Sequence, residues 1–257
     1  MKRIRVIPVL LMHNDGLVKS VRFRNYQYVG DPINAVRIFN DKEVDELAVI
    51  DITATQQKRA PDISRIREIA SEAFMPLAYG GGVSTADQVV ELIANGVEKV
   101  ILNYTVYQQP SAVTEAAKRV GSQSVVVSMD VRKDWLGRER VFVLNNTENT
   151  GLDPVQYAKR AASMGAGEIV LNSIDRDGTY KGYDTDLVAR VSEAVGIPVI
   201  ALGGASNMDD FLAAAKAGAS ALAAGSMFVF RRPHQAVLIS YPAQRDLKQE
   251  LYQKISE

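Results

Sequence analysis

Two apolar segments of the chain end in a glycine turn, and each is followed at nearly the same distance by a short polar turn. The first pair is Gly80-Gly81-Gly82 with Asn103-Tyr104-Thr105, and the second is Gly203-Gly204 with Gly225-Ser226. The separations almost agree, since 103 − 80 = 23 and 225 − 203 = 22. One such turn would indicate only a tight connection, but the repeat predicts a fold of two similar halves. It also predicts two phosphate sites, because glycines let backbone N–H groups approach an anion at a helix start.

Eight short apolar segments alternate with helical patterns along the chain. The apolar segments cover residues 4–10, 47–52, 75–79, 99–102, 124–130, 168–173, 198–202 and 219–224. Helical patterns include residues 62–73, 85–95, 154–164, 185–195 and 208–217. Eight such units in 257 residues, with no Pro/Gly/Ser-rich linker, predict one domain over residues 1–257, a (βα)8 TIM barrel with an internal half-barrel repeat. An open doubly wound sheet is the alternative, because periodicity does not distinguish a closed sheet from an open one.

The amino-acid composition limits the kinds of reaction and of binding partner that we expect for this chain. The 30 basic residues balance 30 acidic ones, so no overall field favours nucleic acid or an acidic membrane. No apolar segment is long enough to span a bilayer, and the start lacks the features of a signal peptide, so we expect a cytoplasmic protein. Cysteine is absent, and only His13 and His234 offer imidazole chemistry. We therefore expect neither a metal site nor a cofactor.

Carboxylates stand at the ends of several predicted strands, which is where barrel enzymes place their chemistry. They are Asp51, Asp130, Asp175 and Asp177. Asp130 follows an apolar run, so burial should raise its pKa and suit it to general acid–base catalysis. Capping of the next loop through backbone N–H groups is an equal alternative for Asp130, and it is the stronger interpretation for Asp51.

Several longer motifs resemble the cyclase subunit of imidazole glycerol phosphate synthase. They are Val-Ile-Pro-Val-Leu at 6–10, Gly-Asp-Pro at 30–32, Asp-Glu-Leu and Asp-Ile-Thr-Ala within 45–54, Gly-Gly-Gly-Val at 80–83, Gly-Ser-Gln at 121–123, and Ser-Ile-Asp-Arg-Asp-Gly-Thr with Gly-Tyr-Asp within 173–184. The resemblance covers residues 3 to about 230. It implies a half-repeat barrel that receives ammonia from a glutaminase docked on its bottom face. It also implies a bis-phosphate ribonucleotide bound at the top.

The resemblance assigns roles to particular residues. Substrate or phosphate contacts fall on Lys19 of a mobile loop, Asp51, Gly81, Gly82, Asn103, Asp177, Gly203, Gly204, Gly225 and Ser226. An ammonia gate falls on Arg5, Glu46, Lys99 and Glu168, with Glu98 at the partner interface. Two cations and two anions at one end of a barrel could form a closed ring of charge-assisted hydrogen bonds. Taken singly, each of the four is better interpreted as an ordinary solvated charge.

The first catalytic position departs from the family pattern. The family places one catalytic aspartate on the first strand and a second on the fifth; the second matches Asp130, whereas the first falls on Leu11. Leucine cannot transfer a proton, and loss of one general acid–base group typically slows a reaction by about 10²- to 10⁴-fold. His13 could replace the lost acid, although a solvent-facing loop histidine is the preferred interpretation. Tyr104 also places a bulky ring at one phosphate loop.

Residues 228–242, Phe-Val-Phe-Arg-Arg-Pro-His-Gln-Ala-Val-Leu-Ile-Ser-Tyr-Pro, resemble a paralogous branch found in lipopolysaccharide O-antigen gene sets. That resemblance implies a barrel and glutaminase that supply ammonia to a separate sugar amidotransferase. With Leu11 in place of the acid, we favour this ammonia-conducting role. A genuine cyclase of histidine biosynthesis is the alternative. A phosphosugar isomerase is a weaker one, because that relative also requires the first-strand acid.

Three loop features remain. Arg231 and Arg232, which precede His234, could hold a phosphate or an acidic partner, but a solvated turn is the preferred interpretation. We expect Trp135 to pack within the loop after the fifth strand. In the same loop, residues 140–144 are expected to form a small hairpin.

Overall fold

In the computed structural model, which describes residues 3–231, 233–234 and 236–255, eight parallel strands close into a barrel. In chain order they are β1 (Arg5–His13), β2 (Leu47–Asp51), β3 (Leu77–Gly80), β4 (Lys99–Leu102), β5 (Val125–Lys133), β6 (Glu168–Ser173), β7 (Val199–Leu202) and β8 (Ala221–Ala224). Each strand pairs with the next, and β8 pairs with β1 in parallel. The predicted barrel is therefore confirmed, and the open sheet is excluded.

Seven longer helices surround the barrel in the described part of the chain. They are α1 (Pro32–Asp41), α2 (Ile63–Glu72), α3 (Ala86–Ala94), α4 (Pro110–Val120), α5 (Pro154–Ser163), α6 (Thr185–Ala194) and α7 (Met208–Lys216). Shorter helical turns cover Tyr104–Gln108, Ser122–Ser124, Ser226–Val229, Gln244–Leu247, Lys248–Tyr252 and Gln253–Ile255. The five predicted helices are confirmed to within about two residues, because capping side chains fix their starts. Asp62, for example, accepts a hydrogen bond from Arg65 N at 3.0 Å.

The half-repeat exists, but its register differs by one residue from the one predicted. β3 ends at the residue before Gly81 and β7 ends at the residue before Gly203, so these two glycines correspond. The separations then agree, since 103 − 81 = 22 and 225 − 203 = 22. Thr85 caps α3 and Asn207 caps α7, each through a capping box, and 85 − 81 = 207 − 203 = 4. Turn, helix cap and following polar turn therefore repeat as one unit.

Gly81 and Gly203 are required by the path of the backbone. Their φ angles are +118° and +100°, a region that other residues rarely adopt. A Cβ on Gly81 would lie 2.3 Å from the Asp51 carbonyl oxygen, and one on Gly203 would lie 2.6 Å from that of Ser173. The fold alone therefore explains both glycines, and any role in holding phosphate is additional.

The interior of the barrel is lined by smaller side chains than is usual. An apolar cluster at mid-depth comprises Ile7, Val9, Ala48, Ala78, Ile101, Val126, Val170, Ile200, Ala221 and Ala223. Barrels of this class are ordinarily filled by layers of bulky branched residues. Four alanines in this cluster leave space along the axis.

Two barrel strands extend beyond the barrel as hairpins, which is why they are longer than predicted. β1 continues into the antiparallel strands Gly16–Val21 and Arg24–Gly30, which the sequence did not predict. β5 pairs with the single strand Glu139–Val143, so the residues predicted to form a small hairpin by themselves lie almost wholly in one strand of a hairpin with β5. The expectation that Trp135 packs in this loop was wrong. Trp135 is 89% exposed, because the whole turn at residues 135–138 projects into solvent.

The segment after β8 matches the preferred interpretation of a solvated turn. His234 is exposed between the paired strands Phe230–Arg231 and Ala236–Val237. Arg231 is exposed, and Arg232 lies outside the described residues. Within the described ranges, no helix combines the length and the apolar character needed to cross a membrane.

Candidate functional site

A closed ring of four charged side chains lies at the bottom of the barrel, where the strands begin. Arg5 donates to Glu46 and, at 2.7 Å, to Glu168; Lys99 donates to Glu46 at 2.9 Å and to Glu168 at 3.1 Å. Each cation therefore bridges both anions, and the ring carries no net charge. Although burial alone would lower it, attraction to Glu46 and Glu168 holds the pKa of Arg5 above its ordinary value. The predicted geometry is confirmed, whereas a gating role for it stays a prediction.

A single cavity of about 150 Å³ reaches from this ring to the top of the barrel. Its lining includes Glu46 of the ring, Ala48 and Val126 at mid-depth, and Leu11 and Asp130 at the upper end. We call this upper end, at the carboxyl ends of the strands, the mouth. The alanines described above explain how an interior that is normally packed holds a passage.

Asp130 is held at the mouth by two amides. Asn172 Nδ2 donates to one carboxylate oxygen at 3.0 Å, and Asn103 Nδ2 donates to the other at 3.1 Å. Burial raises the pKa of Asp130 to about 6, which the hydrogen bond from Asn172 opposes and the charge of Asp177 reinforces. The predicted rise in pKa is confirmed. A carboxyl with this pKa can exchange protons near neutral pH.

Leu11 occupies the position on β1 that corresponds to Asp130 on β5. Leu11 is paired with Ile50 of β2, and Asp130 is paired with Asn172 of β6. Each is the second-to-last residue pair between its two strands. Both side chains line the cavity. The mouth therefore presents an acid on one side and an alkyl group on the equivalent side. His13 does not fill the gap, because it is exposed at the end of β1 with its ring centroid 5.8 Å from that of Tyr26.

Lys19 lies on the Gly16–Val21 strand, which folds inward at the mouth, rather than in a loop as the resemblance implied. Its ammonium donates to the carbonyl oxygen of Val9. It lies 2.7 Å from the position that a Cβ on Gly225 would occupy, so it faces the second polar turn of the repeat. Burial lowers the pKa of Lys19 to about 8, although the charge of Asp177 opposes this.

The two remaining mouth aspartates differ in their surroundings. Asp51 accepts from Thr53 N at 2.9 Å and Ala54 N at 3.0 Å and pairs with Arg59 at 2.8 Å, which confirms the loop-capping interpretation. A substrate contact for Asp51 stays a prediction. For Asp177, burial raises the pKa to about 6, and the charge of Lys19 opposes the rise.

The predicted phosphate-binding residues do not all meet in one place. Gly81, Gly82, Asn103, Asp177, Gly225 and Ser226 line the cavity, and in the described structure Gly203 and Gly204 lie outside that lining. The N–H of Gly82 already donates to Thr55 Oγ1 at 3.1 Å. Tyr104 lines the same side and is hydrogen-bonded to Glu148, which brings a carboxylate close to this turn. The first phosphate site is therefore crowded, and phosphate binding at either turn stays a prediction.

Glu98 and Phe74 are exposed just before two of the barrel strands, at the end of the barrel that bears the ring. Glu98 directly precedes β4 and is exposed, as a contact residue would need to be. Phe74, which precedes β3, is 88% exposed. A contact between these residues and another protein stays a prediction.

Residues 5–233 match the family described as "Histidine biosynthesis protein". The chain belongs to this family. It is 40% identical over 250 residues to the imidazole glycerol phosphate synthase subunit HisF of Alkaliphilus metalliredigens, covering 97% of this chain and 96% of that protein. It is 48% identical over 243 residues to a Pseudomonas aeruginosa protein provisionally named subunit hisF2, covering 94% and 97%. A Vibrio vulnificus protein provisionally named subunit hisF3 is 46% identical over 256 residues, covering 98% and 97%.

Three residues of this histidine biosynthesis family barrel were missed by sequence reasoning. Asn172 interrupts the apolar run of β6 at an inward position, and that polar residue was an available signal. Ser20 and Phe74 carried no such signal, because a hairpin over the mouth and an exposed turn below β3 are not encoded in local periodicity.

Proposed function

We propose that this chain is an ammonia-conducting, HisF-like subunit of a glutamine amidotransferase complex. A glutaminase partner docks on the bottom face, and ammonia passes through the barrel to the mouth. A sugar amidotransferase of lipopolysaccharide O-antigen biosynthesis then uses it to form an amidino group. The observation that carries this proposal is Leu11, which removes one acid from the mouth while the charged ring and the cavity are intact.

The ring and cavity suit a small neutral molecule. The four charges neutralise one another, so ammonia meets no net field at the entrance, whereas an ion would have to displace a partner from the ring. Above the ring, the side chains of the mid-depth apolar cluster offer no group that would retain ammonia. A passage lined in this way supports conduction from the bottom face to the mouth.

Glu98 and Phe74 support docking of the glutaminase at the bottom. Both are exposed beside the strand starts that bear the ring. An aromatic anchor next to a charged residue is a common arrangement in protein interfaces. The entrance would then be covered by the protein that releases ammonia.

The O-antigen assignment rests on the resemblance of residues 228–242 and on the names of two relatives. The numerals in hisF2 and hisF3 are typical of paralogues in organisms that encode more than one such chain. A second copy is free to lose cyclase activity.

A genuine cyclase of histidine biosynthesis is the second candidate. The relatives named HisF without a numeral favour it, as does the retention of Asp130, Asn103 and Lys19 at the mouth. In that case the bis-phosphate ribonucleotide would bind across the mouth.

Turnover with ammonium and that ribonucleotide distinguishes the two candidates. We expect the purified chain to react at least about a hundredfold more slowly than a cyclase with both aspartates. Leu11→Asp should raise any residual rate, whereas Leu136→Asp, at the exposed turn of the β5 hairpin, should not. A rate equal to that of an ordinary cyclase would contradict the proposal that this chain supplies ammonia to a separate sugar amidotransferase, and it would favour the second candidate.

A further inference from the structure

Three buried oxygen atoms at the mouth have no hydrogen-bond partner among the described residues. They are Ser20 Oγ, Asn172 Oδ1 and Asp177 Oδ2. Ser20 is 5% exposed and Asn172 is 6% exposed, and all three residues line the cavity. Native proteins rarely bury an acceptor without a donor, because the group loses its hydrogen bonds to water and gains nothing in return. A ligand rich in donors could pair with all three atoms at the mouth.

The orientation of Asn172 is fixed by its neighbour. Its Nδ2 donates to Asp130 Oδ1 at 3.0 Å, and an ionised carboxylate can only accept. The amide oxygen therefore points away from Asp130. It lies 3.0 Å from the position that a Cβ on Gly203 would occupy, at the upper end of β7. In this orientation the amide oxygen has no donor among the described residues.

The charges around these atoms leave room for one more cation. Asp51 forms a salt bridge with Arg59, so the negative charge of Asp51 is already balanced. Asp130 and Asp177 then contribute two negative charges against the single positive charge of Lys19, whose ammonium is engaged with the Val9 carbonyl oxygen. One monovalent cation balances the mouth when both carboxyls are ionised.

We propose that the mouth contains a binding site for ammonium, with Asn172 Oδ1, Asp177 Oδ2 and Ser20 Oγ as acceptors. Ammonium presents four N–H donors and is close to water in size, for which about 30 Å³ is sufficient. The cavity of about 150 Å³ holds it easily. The choice of ammonium over other monovalent cations rests on the proposed function, in which the barrel delivers neutral ammonia to this point, where it takes up a proton from solvent water. Nitrogen held here would await the acceptor instead of escaping into solvent.

Thallium(I), which matches ammonium in charge and approximate size and scatters anomalously, is the probe. In crystals of the full chain soaked in thallium(I) acetate, we expect one anomalous peak between the three oxygen atoms. Ammonium chloride should displace it, whereas tetramethylammonium chloride, which is too large for the site, should not. Asn172→Leu and the milder Ser20→Ala should each weaken the competition by ammonium about tenfold or more, because each removes a hydrogen bond to a charged group.

Asn34→Leu on the exposed surface of α1 is the matched control, and it should bind thallium as the unaltered chain does. The proposal is overturned by a peak elsewhere, by no peak, by potassium competing more strongly than ammonium, or by unchanged competition in both mouth variants. The experiment uses the chain without a glutaminase. A failure here leaves conduction through the ring untouched, and a failure of conduction leaves the binding result intact.

Discussion

The protonation of Asp130 is strongly governed by its surroundings. The two amide donors stabilise the carboxylate, while burial favours the neutral acid, and burial prevails. The balance means that the group changes charge close to neutral pH.

We predict that the Asp130 carboxyl titrates with a midpoint near pH 6 in carbon-detected NMR. Asn172→Leu should raise this midpoint, because it removes a hydrogen bond that favours the charged form, and Asn103→Leu should raise it by less. Asn34→Leu should leave it unchanged. A midpoint near 4 in the unaltered chain would mean that water reaches the carboxyl.

The same shift sets the sign of one contribution to stability. The folded chain binds the Asp130 proton more tightly than the unfolded chain does, so the free energy of unfolding should fall as pH rises from about 4 to about 6. Asp177 acts in the same direction over the same range. The ionised mouth is therefore obtained at some expense in stability, as is common at functional sites.

At the scale of elements, the glycine turns are the most constrained part of the repeat. Gly203 combines positive φ with a close approach to the Ser173 carbonyl oxygen, whereas Gly137 has a φ of +75° and nothing within 4 Å of the position a Cβ would take. Substituting alanine at the two positions therefore distinguishes the cost of backbone strain, which both share, from the cost of steric overlap, which only Gly203 has.

We predict that Gly203→Ala lowers the free energy of unfolding by about 2 to 4 kcal/mol and that Gly137→Ala lowers it by about 1 kcal/mol. The difference arises because only the first substitution forces β6 and β7 apart. Urea unfolding curves measure both values. Equal effects would indicate that the turn after β7 can relax away from Ser173.

Element order and the barrel were predictable because each strand and helix carries its own periodicity and caps. Asp130, the ring and the second turn of the repeat were predictable because they fall at strand ends. The Gly16–Gly30 hairpin was not, since its inward strand depends on the mouth that it covers. Trp135 was misjudged for a related reason: whether a turn packs or projects depends on neighbours that are distant in sequence.

At the scale of the whole molecule, the ring and the cavity make the barrel a conduit between two faces. If ammonia enters through the ring, removing one cation leaves two carboxylates poorly paired, so the ring should admit water. The test is therefore the coupling of two reactions rather than the rate of either one.

We predict that Lys99→Ala, in a complex reconstituted with the glutaminase and the sugar amidotransferase, keeps glutamine hydrolysis largely intact. It should release ammonia to solvent and lower the amination of the acceptor per glutamine consumed. Added ammonium should restore amination. Lys118→Ala, on the exposed surface of α4, is the control. Unchanged coupling in both Lys99→Ala and Arg5→Ala would show that ammonia takes another route.

The ring also divides unequally between the two halves of the repeat. Arg5 on β1, Glu46 directly before β2 and Lys99 on β4 belong to the first half, and Glu168 alone comes from the second half, on β6. Each half by itself would bury one uncompensated charge, positive in the first and negative in the second. The two halves therefore depend on each other to balance the ring, and we expect them to unfold cooperatively. The slowest-exchanging amides of β2 and β6 should open with the same free energy, and Glu168→Gln should make those energies diverge.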